Sequence, residues 1–127
     1  MDLLVVDDSS TMRQMVIRAL RQQGLEFADI REAGDGMAAV GAVMSKKPDL
    51  IITDLAMPVL DGLKFVRTVR RTHSRAAVRV IVLTSKATKA ITEALVAMSV
   101  DEVVPKPFHP ETLANIVRRV MDLEVVK

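Results

Sequence analysis

The stretch that decides the fold runs from residue 49 to residue 62: Asp49-Leu50-Ile51-Ile52-Thr53-Asp54-Leu55-Ala56-Met57-Pro58-Val59-Leu60-Asp61-Gly62. Leu50 to Thr53 is a short apolar and β-branched run, suited to a strand covered on both faces. It ends on a single carboxylate, Asp54, and Pro58 forbids a longer strand. Asp61 and Gly62 predict the cap of a following helix. A carboxylate at the carboxyl end of a buried strand sits where open α/β sheets place their ligands. Alone, Asp54 reads as an acid beginning a loop; its companions change that reading.

Outward from this stretch the same pattern repeats. Residues 3–6 (Leu3-Leu4-Val5-Val6) form an apolar strand that ends on Asp7 and Asp8, and Ser9 or Ser10 caps a helix. Met12, Met15, Val16, Ala19 and Leu20 form its inward stripe, and Gly24 ends it. A second strand is expected between Phe27 and Ala33. Asp35-Gly36 opens a helix carrying Met37, Val40, Val43 and Met44, which stops before Pro48. The helix from about Gly62 turns Leu63, Val66 and Val69 inward. Val78 to Leu83 is a fourth strand, ending on Thr84-Ser85. A helix over about Thr88 to Met98 leads to a fifth strand, Val100 to Val104, followed by Pro105-Lys106-Pro107. The last helix starts at Pro110, a favoured first helical position, with Leu113, Ile116, Val117, Val120 and Met121 inward. The spaced methionines read as core filler. Five strands alternating with five helices predict an α/β domain, doubly wound, with a five-stranded parallel sheet and helices on both faces.

Composition bounds the function. The 127 residues make one domain, residues 1–127, large enough for a core. There is no cysteine, so neither a disulfide framework nor thiolate chemistry is in play. No run of about 18 apolar residues is available to span a membrane, and no signal peptide opens the chain, so a cytoplasmic protein is expected. The formal net charge is +2. Lys64, Arg67, Arg70, Arg71, Arg75 and Arg79 gather in one segment and read as a solvated face. With no Trp or Tyr to stack on bases, direct nucleic-acid binding is not expected.

In a parallel sheet all strands end on one edge. That edge collects Asp7 and Asp8, Asp54, Thr84 and Lys106, while the second strand contributes nothing evident. Three carboxylates in one pocket repel unless a cation neutralises them. With oxygen ligands and no His or Cys beside them, Mg²⁺ fits the set. A magnesium ion beside a lysine and a hydroxyl suits phosphoryl transfer, and a carboxylate is able to accept the group as an acyl phosphate. Asp54 is the candidate acceptor.

The segments Val5-Val6-Asp7-Asp8-Ser9-Ser10-Thr11-Met12-Arg13, Asp54-Leu55-Ala56-Met57-Pro58 with Asp61-Gly62, Leu83-Thr84-Ser85 and Lys106-Pro107-Phe108 resemble the receiver domain of two-component response regulators. The first segment is especially similar to single-domain chemotaxis regulators. The resemblance spans the chain and implies the flavodoxin-like strand order 2-1-3-4-5. It implies that Asp54 is the phosphoacceptor, served by a sensor histidine kinase or a small phosphodonor. Asp8, Asp54 and the Ala56 backbone carbonyl would ligate Mg²⁺, with Asp7 acting largely through water. Lys106 would pair with phosphoryl oxygens and be followed by a cis bond to Pro107. Thr84 would move toward the phosphate and switch the surface of the fourth helix, fifth strand and fifth helix, which docks an output protein or a tethered output domain.

The sequence also departs from the family. Val103 stands where an aromatic switch partner is usual. The common glycine near the end of the fourth helix is replaced around Met98-Ser99. Ala56 and Lys86 hold positions that tune dephosphorylation; Ala56 has no side chain to orient a water and Lys86 is able to hold a phosphoryl oxygen, which predicts a long-lived phosphorylated state. The expected docking face is exposed apolar surface on the fourth helix and fifth strand, around Val103.

Three rival readings share parts of this pattern. An aspartyl-nucleophile phosphatase of the haloacid dehalogenase type would want an acid at Ala56. A flavodoxin would want aromatic loops. A pseudo-receiver, binding partners without phosphorylation, would be expected to lose an acid or Lys106, and none is lost. His73 reads as an exposed loop residue and His109 as a helix cap. The end at Lys127 fits either a stand-alone regulator or a receiver from a longer chain.

Overall fold

The computed structural model describes residues 1–57 and 60–121; Pro58 and Lys127, used above, lie outside the described residues. The elements follow in the order β1 (Asp2–Val6), α1 (Ser10–Gln22), β2 (Asp29–Ala33), α2 (Gly36–Ser45), β3 (Leu50–Thr53), α3 (Gly62–Thr72), β4 (Arg79–Thr84), α4 (Lys89–Ala97), β5 (Glu102–Pro105) and α5 (Pro110–Val120). All strand pairs are parallel and the sheet order is β2-β1-β3-β4-β5. The doubly wound arrangement expected from the alternation is the one observed.

Period-two alternation splits the core into two halves. Leu3, Val5, Leu50, Ile52, Ile81 and Leu83 face α1 and α5, meeting Val16, Leu20, Leu113 and Val117. Leu4, Val6, Ile51, Val80 and Val82 face the other way, onto Val43, Phe65, Val66, Val69 and Leu95. Each such side chain, removed from water, contributes about 1.5–3 kcal/mol. The strands therefore read as continuous apolar runs because both faces are covered.

The helix starts follow the sequence closely. Ser9, Asp35, Asp61 and Thr88 each accept a hydrogen bond from a first-turn amide, those of Met12, Ala38, Lys64 and Ile91. His109 occupies the cap position of α5, but its side chain makes no capping bond; the fixed φ of Pro110 starts that helix instead. His73 closes α3, its N–H donating to the Val69 carbonyl.

Several expectations are corrected. Met15, Met37 and Met44 are exposed rather than core filler, at 50%, 56% and 81%. The buried positions of α1 include Ile17, which the stripe omitted, and those of α3 include Phe65. β2 begins at Asp29, within the expected span, and the Ala28 amide just ahead of it donates to the Met1 carbonyl at the start of the paired β1. β5 starts two residues later than expected and ends one later, on Pro105, tolerated because this is an edge strand. The basic segment is not uniformly solvated. Arg70, Arg75 and Arg79 converge on the buried carboxylate of Asp101 at 3.6, 2.7 and 3.5 Å, and that carboxylate also accepts from the Val80 amide at 2.7 Å. No described helix is long and apolar enough to cross a membrane.

Candidate functional site

Each strand delivers its last residues to one edge. The Asp7 amide donates to the Ala33 carbonyl at 3.1 Å and the Asp54 amide to the Val6 carbonyl at 3.0 Å, so ladder bonds carry both acids to the rim. Asp7 and Asp54 are buried, whereas Asp8 is exposed. One carboxylate oxygen from each of Asp7, Asp8 and Asp54 falls within 4.8 Å of the others.

Lys106 reaches this group from the loop after β5. Its ammonium lies 2.9 Å from Asp7 Oδ2 and 3.2 Å from Asp54 Oδ2. The Lys106 amide donates to the Thr84 carbonyl at 2.9 Å, and the next bond, to Pro107, is cis. Burial by itself would lower the Lys106 pKa. The hydrogen bond to Asp7 and the charges of Asp54 and Asp7 outweigh it, so the ammonium is held above its ordinary value.

The other predicted residues are at the same edge in different states. Thr84 is buried at the end of β4, and its Oγ1 accepts from the Lys86 amide at 3.1 Å. Lys86 and Ala56 are exposed. The Asp54 carboxylate accepts from the Leu55 amide at 2.7 Å, which leaves its other oxygen to Lys106. Val103 lies beside Val82 in the β4–β5 register, half-buried against the α4 side of the core. The exposed large apolar residue of that neighbourhood is Val96, on α4, within the surface expected on the fourth helix and fifth strand.

Two supports escaped the sequence reading. Arg13, outside the inward stripe of the first helix, donates Nη1 to the Asp7 carbonyl at 2.5 Å and Nε to Glu32 at 3.0 Å. It straps the acid-bearing loop to β2, so the second strand does contribute, through Glu32. The available signal was an arginine less than two turns after the paired acids, with a glutamate at the next strand end. The second support is backbone space: a Cβ on Gly36 would overlap the Leu60 carbonyl, so α2 sits directly on the loop that follows Asp54.

The donor set bears on the cation. Three carboxylates face one ammonium, leaving net negative charge in a partly buried pocket, and every side-chain donor is a hard oxygen. That chemistry fits Mg²⁺, which binds through one or two carboxylates and retains waters.

Comparison with known proteins identifies a family. A sequence model described as the response regulator receiver domain matches residues 3–118. The DNA-binding response regulator MtrA of Mycolicibacterium paratuberculosis is 33% identical over 116 residues, covering 91% of this chain and 49% of its own length. A protein-glutamate methylesterase/protein-glutamine glutaminase of Hahella chejuensis is 32% identical, covering 100% of this chain and 38% of its own. The chain thus spans half or less of these curated relatives. Among solved structures, the chemotaxis response regulator CheY4 of Vibrio cholerae is 33% identical with a TM-score of 0.81, covering 94% of this chain and 97% of its own.

Proposed function

Since the chain belongs to the response regulator receiver domain family of two-component systems, we propose that it is a phosphoacceptor switch whose acceptor is Asp54. The single observation that carries this reading is the bridge of Lys106 between Asp7 and Asp54. A cation and, with Asp8, two further acids surround a carboxylate at a strand end, where incoming phosphate needs neutralised charge.

An Asp54 carboxylate oxygen forms the new bond to phosphorus. The bond from phosphorus to the donor atom of a histidine kinase or small phosphodonor breaks, and its electron pair leaves on the donor. The Lys106 ammonium, already 3.2 Å from Asp54, pairs with the transferred oxygens. Asp8, Asp54 and the Ala56 carbonyl, with Asp7 through water, would hold Mg²⁺, which when bound supplies the remaining charge neutralisation. The Thr84 hydroxyl exchanges its bond from the Lys86 amide for one to a phosphoryl oxygen. β4 and β5 are paired through Val82 and Val103, so this exchange biases the α4–β5–α5 surface that an output protein or tethered output domain reads. With Val103 in place of an aromatic, loop movement and apolar contact transmit the change. The family is regulatory; in this chain the chemistry is confined to its own phosphorylation and slow dephosphorylation, in the cytoplasm.

The test is intact-protein mass after incubation with acetyl phosphate, with and without Mg²⁺, on wild type and Asp54→Asn. A gain of one phosphoryl group that needs Mg²⁺ and is lost in the variant supports the reading. No gain under any condition overturns it in favour of a binding module that works unphosphorylated.

A further inference from the structure

Among the described helices, α2 alone carries no charged side chain: Gly36-Met37-Ala38-Ala39-Val40-Gly41-Ala42-Val43-Met44-Ser45. A helix apolar all round belongs in an interior. Yet only Gly36, Ala39 and Val43 are buried, and Met37 and Met44 are two of the four exposed large hydrophobic residues among the described residues. Residues 37, 41 and 44 share one helical face. Beside it, between α2 and α3, runs a groove of about 240 Å³ lined by Val40, Val43, Met44, Thr68, Val69 and Thr72, with His73 at one end. The Thr68 and Thr72 hydroxyls bond back to the carbonyls of Lys64 and Val69, at 2.9 and 3.2 Å, so neither needs a partner from outside the helix.

The α3 side of this groove is basic. Lys64, Arg67 and Arg71 are exposed and make no ion pair among the described residues, unlike Arg70, Arg75 and Arg79. Eight of the eighteen Lys and Arg residues fall between positions 62 and 92, and no Asp or Glu does. Charge selects the occupant. A second copy of this chain would set one basic rim against another, and like charges across an interface are strongly disfavoured. Nucleic acid or an anionic bilayer would use the cations but leave a recessed apolar floor unfilled. A helix with an apolar ridge and acidic flanks uses both, and flexible methionines suit such a groove.

We propose that the α2–α3 groove docks an amphipathic helix of a partner protein, its apolar i, i+4, i+7 ridge on Val40, Val43 and Met44 and its acidic flank against Lys64, Arg67 and Arg71. The site is separate from Asp54 and from α4–β5–α5, and does not depend on phosphorylation.

The test uses the full chain, isotopically labelled, and a synthetic helical peptide of about 16 residues with Leu along one face and Glu on the flanks. The expected result is amide shift changes centred on residues 37–47 and 64–73. Binding should weaken about tenfold or more in Met44→Glu and in the double variant Arg67→Glu/Arg71→Glu, with the same peptide carrying Lys for Glu failing to bind. All three substitutions are at exposed positions, and unchanged melting confirms the fold. Asp54→Asn should bind the peptide as wild type does, so failure of the phosphoacceptor reading leaves this result intact. Shifts elsewhere, or indifference to Met44→Glu, overturn the proposal. So does tighter binding of duplex DNA or phosphatidylglycerol vesicles at the same residues, or self-association through them in sedimentation.

Discussion

Gly62 rests against the main chain of Asp54: a Cβ at Gly62 would stand 2.5 Å from the Asp54 carbonyl oxygen and 2.6 Å from Leu55 Cα. The Gly62 amide also donates to the Leu55 carbonyl at 2.9 Å. The neighbours are backbone, so they are unable to rotate away. Gly62→Ala is expected to destabilise the domain by about 2–4 kcal/mol in urea unfolding and to slow acetyl phosphate labelling by displacing Asp54. Gly41 is the internal control. Nothing lies within 4 Å of its built Cβ, so Gly41→Ala should stabilise by about 0.5–1 kcal/mol. Equal stability for both variants would contradict the close approach.

Lys106 sits on carboxylate oxygens of Asp7 and Asp54, in the acid cluster that a divalent cation would use in the proposed function. Lys106→Met is expected to tighten Mg²⁺ binding about three- to tenfold by titration calorimetry, while lowering the rate of acetyl phosphate labelling at least about 100-fold. Weaker Mg²⁺ binding in the variant would show that the ammonium organises the acids rather than occupying them.

The same ammonium sets a pH dependence. Its folded pKa is raised, so its stabilising contribution is complete below the unfolded lysine value of about 10.4. That contribution is lost as pH rises through the higher folded value. Without Mg²⁺, the stability gap between wild type and Lys106→Met should stay flat from about pH 7 to 9 and close only in stronger alkali. A gap that closes near neutrality would contradict the assignment.

Ser99 follows α4 with φ +62°, a conformation that costs a side-chain-bearing residue about 1–2 kcal/mol. The Arg70 guanidinium donates to its carbonyl at 3.0 and 3.1 Å, which holds the turn. Ser99→Gly should therefore raise stability by about 0.5–1.5 kcal/mol, measured by denaturant midpoint at unchanged slope. A loss of stability would mean that the serine side chain contributes more than the strain it carries.

Ala56 and Lys86 flank the proposed acceptor as exposed residues. With no side chain at Ala56 to orient a water, the acyl phosphate is expected to persist for minutes or longer with Mg²⁺ present. Lys86→Ala should shorten its lifetime severalfold, followed by mass after removal of acetyl phosphate. A wild-type half-life of seconds would sink this expectation.

The strand ends were legible because apolar runs stop abruptly at Asp7, Asp54 and Thr84, and a parallel sheet aligns those stops. Helix starts at Ser9, Asp35 and Asp61 were legible because short polar side chains stand just ahead of periodic segments, whereas Thr88, read as the first residue of its helix, is its cap. What local pattern does not carry is contact between distant residues. Arg13 looks like any solvated arginine until β2 brings Glu32 beside it, and Arg70, Arg75 and Arg79 look like a charged face until Asp101 gathers them. Met15, Met37 and Met44 misled because hydrophobicity at helical spacing does not say which side of a helix is covered. Gly36 and Gly62 were read as helix openers, and only the path of the Asp54 loop reveals how little room they leave.

The strand order has a consequence for biosynthesis. Once β1, β2 and β3 have been made, residues 1–53 already contain the inner strand with a neighbour on each side. Every later strand joins at one growing border, β4 beside β3 and then β5 beside β4. From that point order of synthesis and order in space coincide, so the sheet is able to assemble by accretion as it leaves the ribosome. Lys106 arrives last of the pocket residues, and until then the acids it neutralises face one another alone.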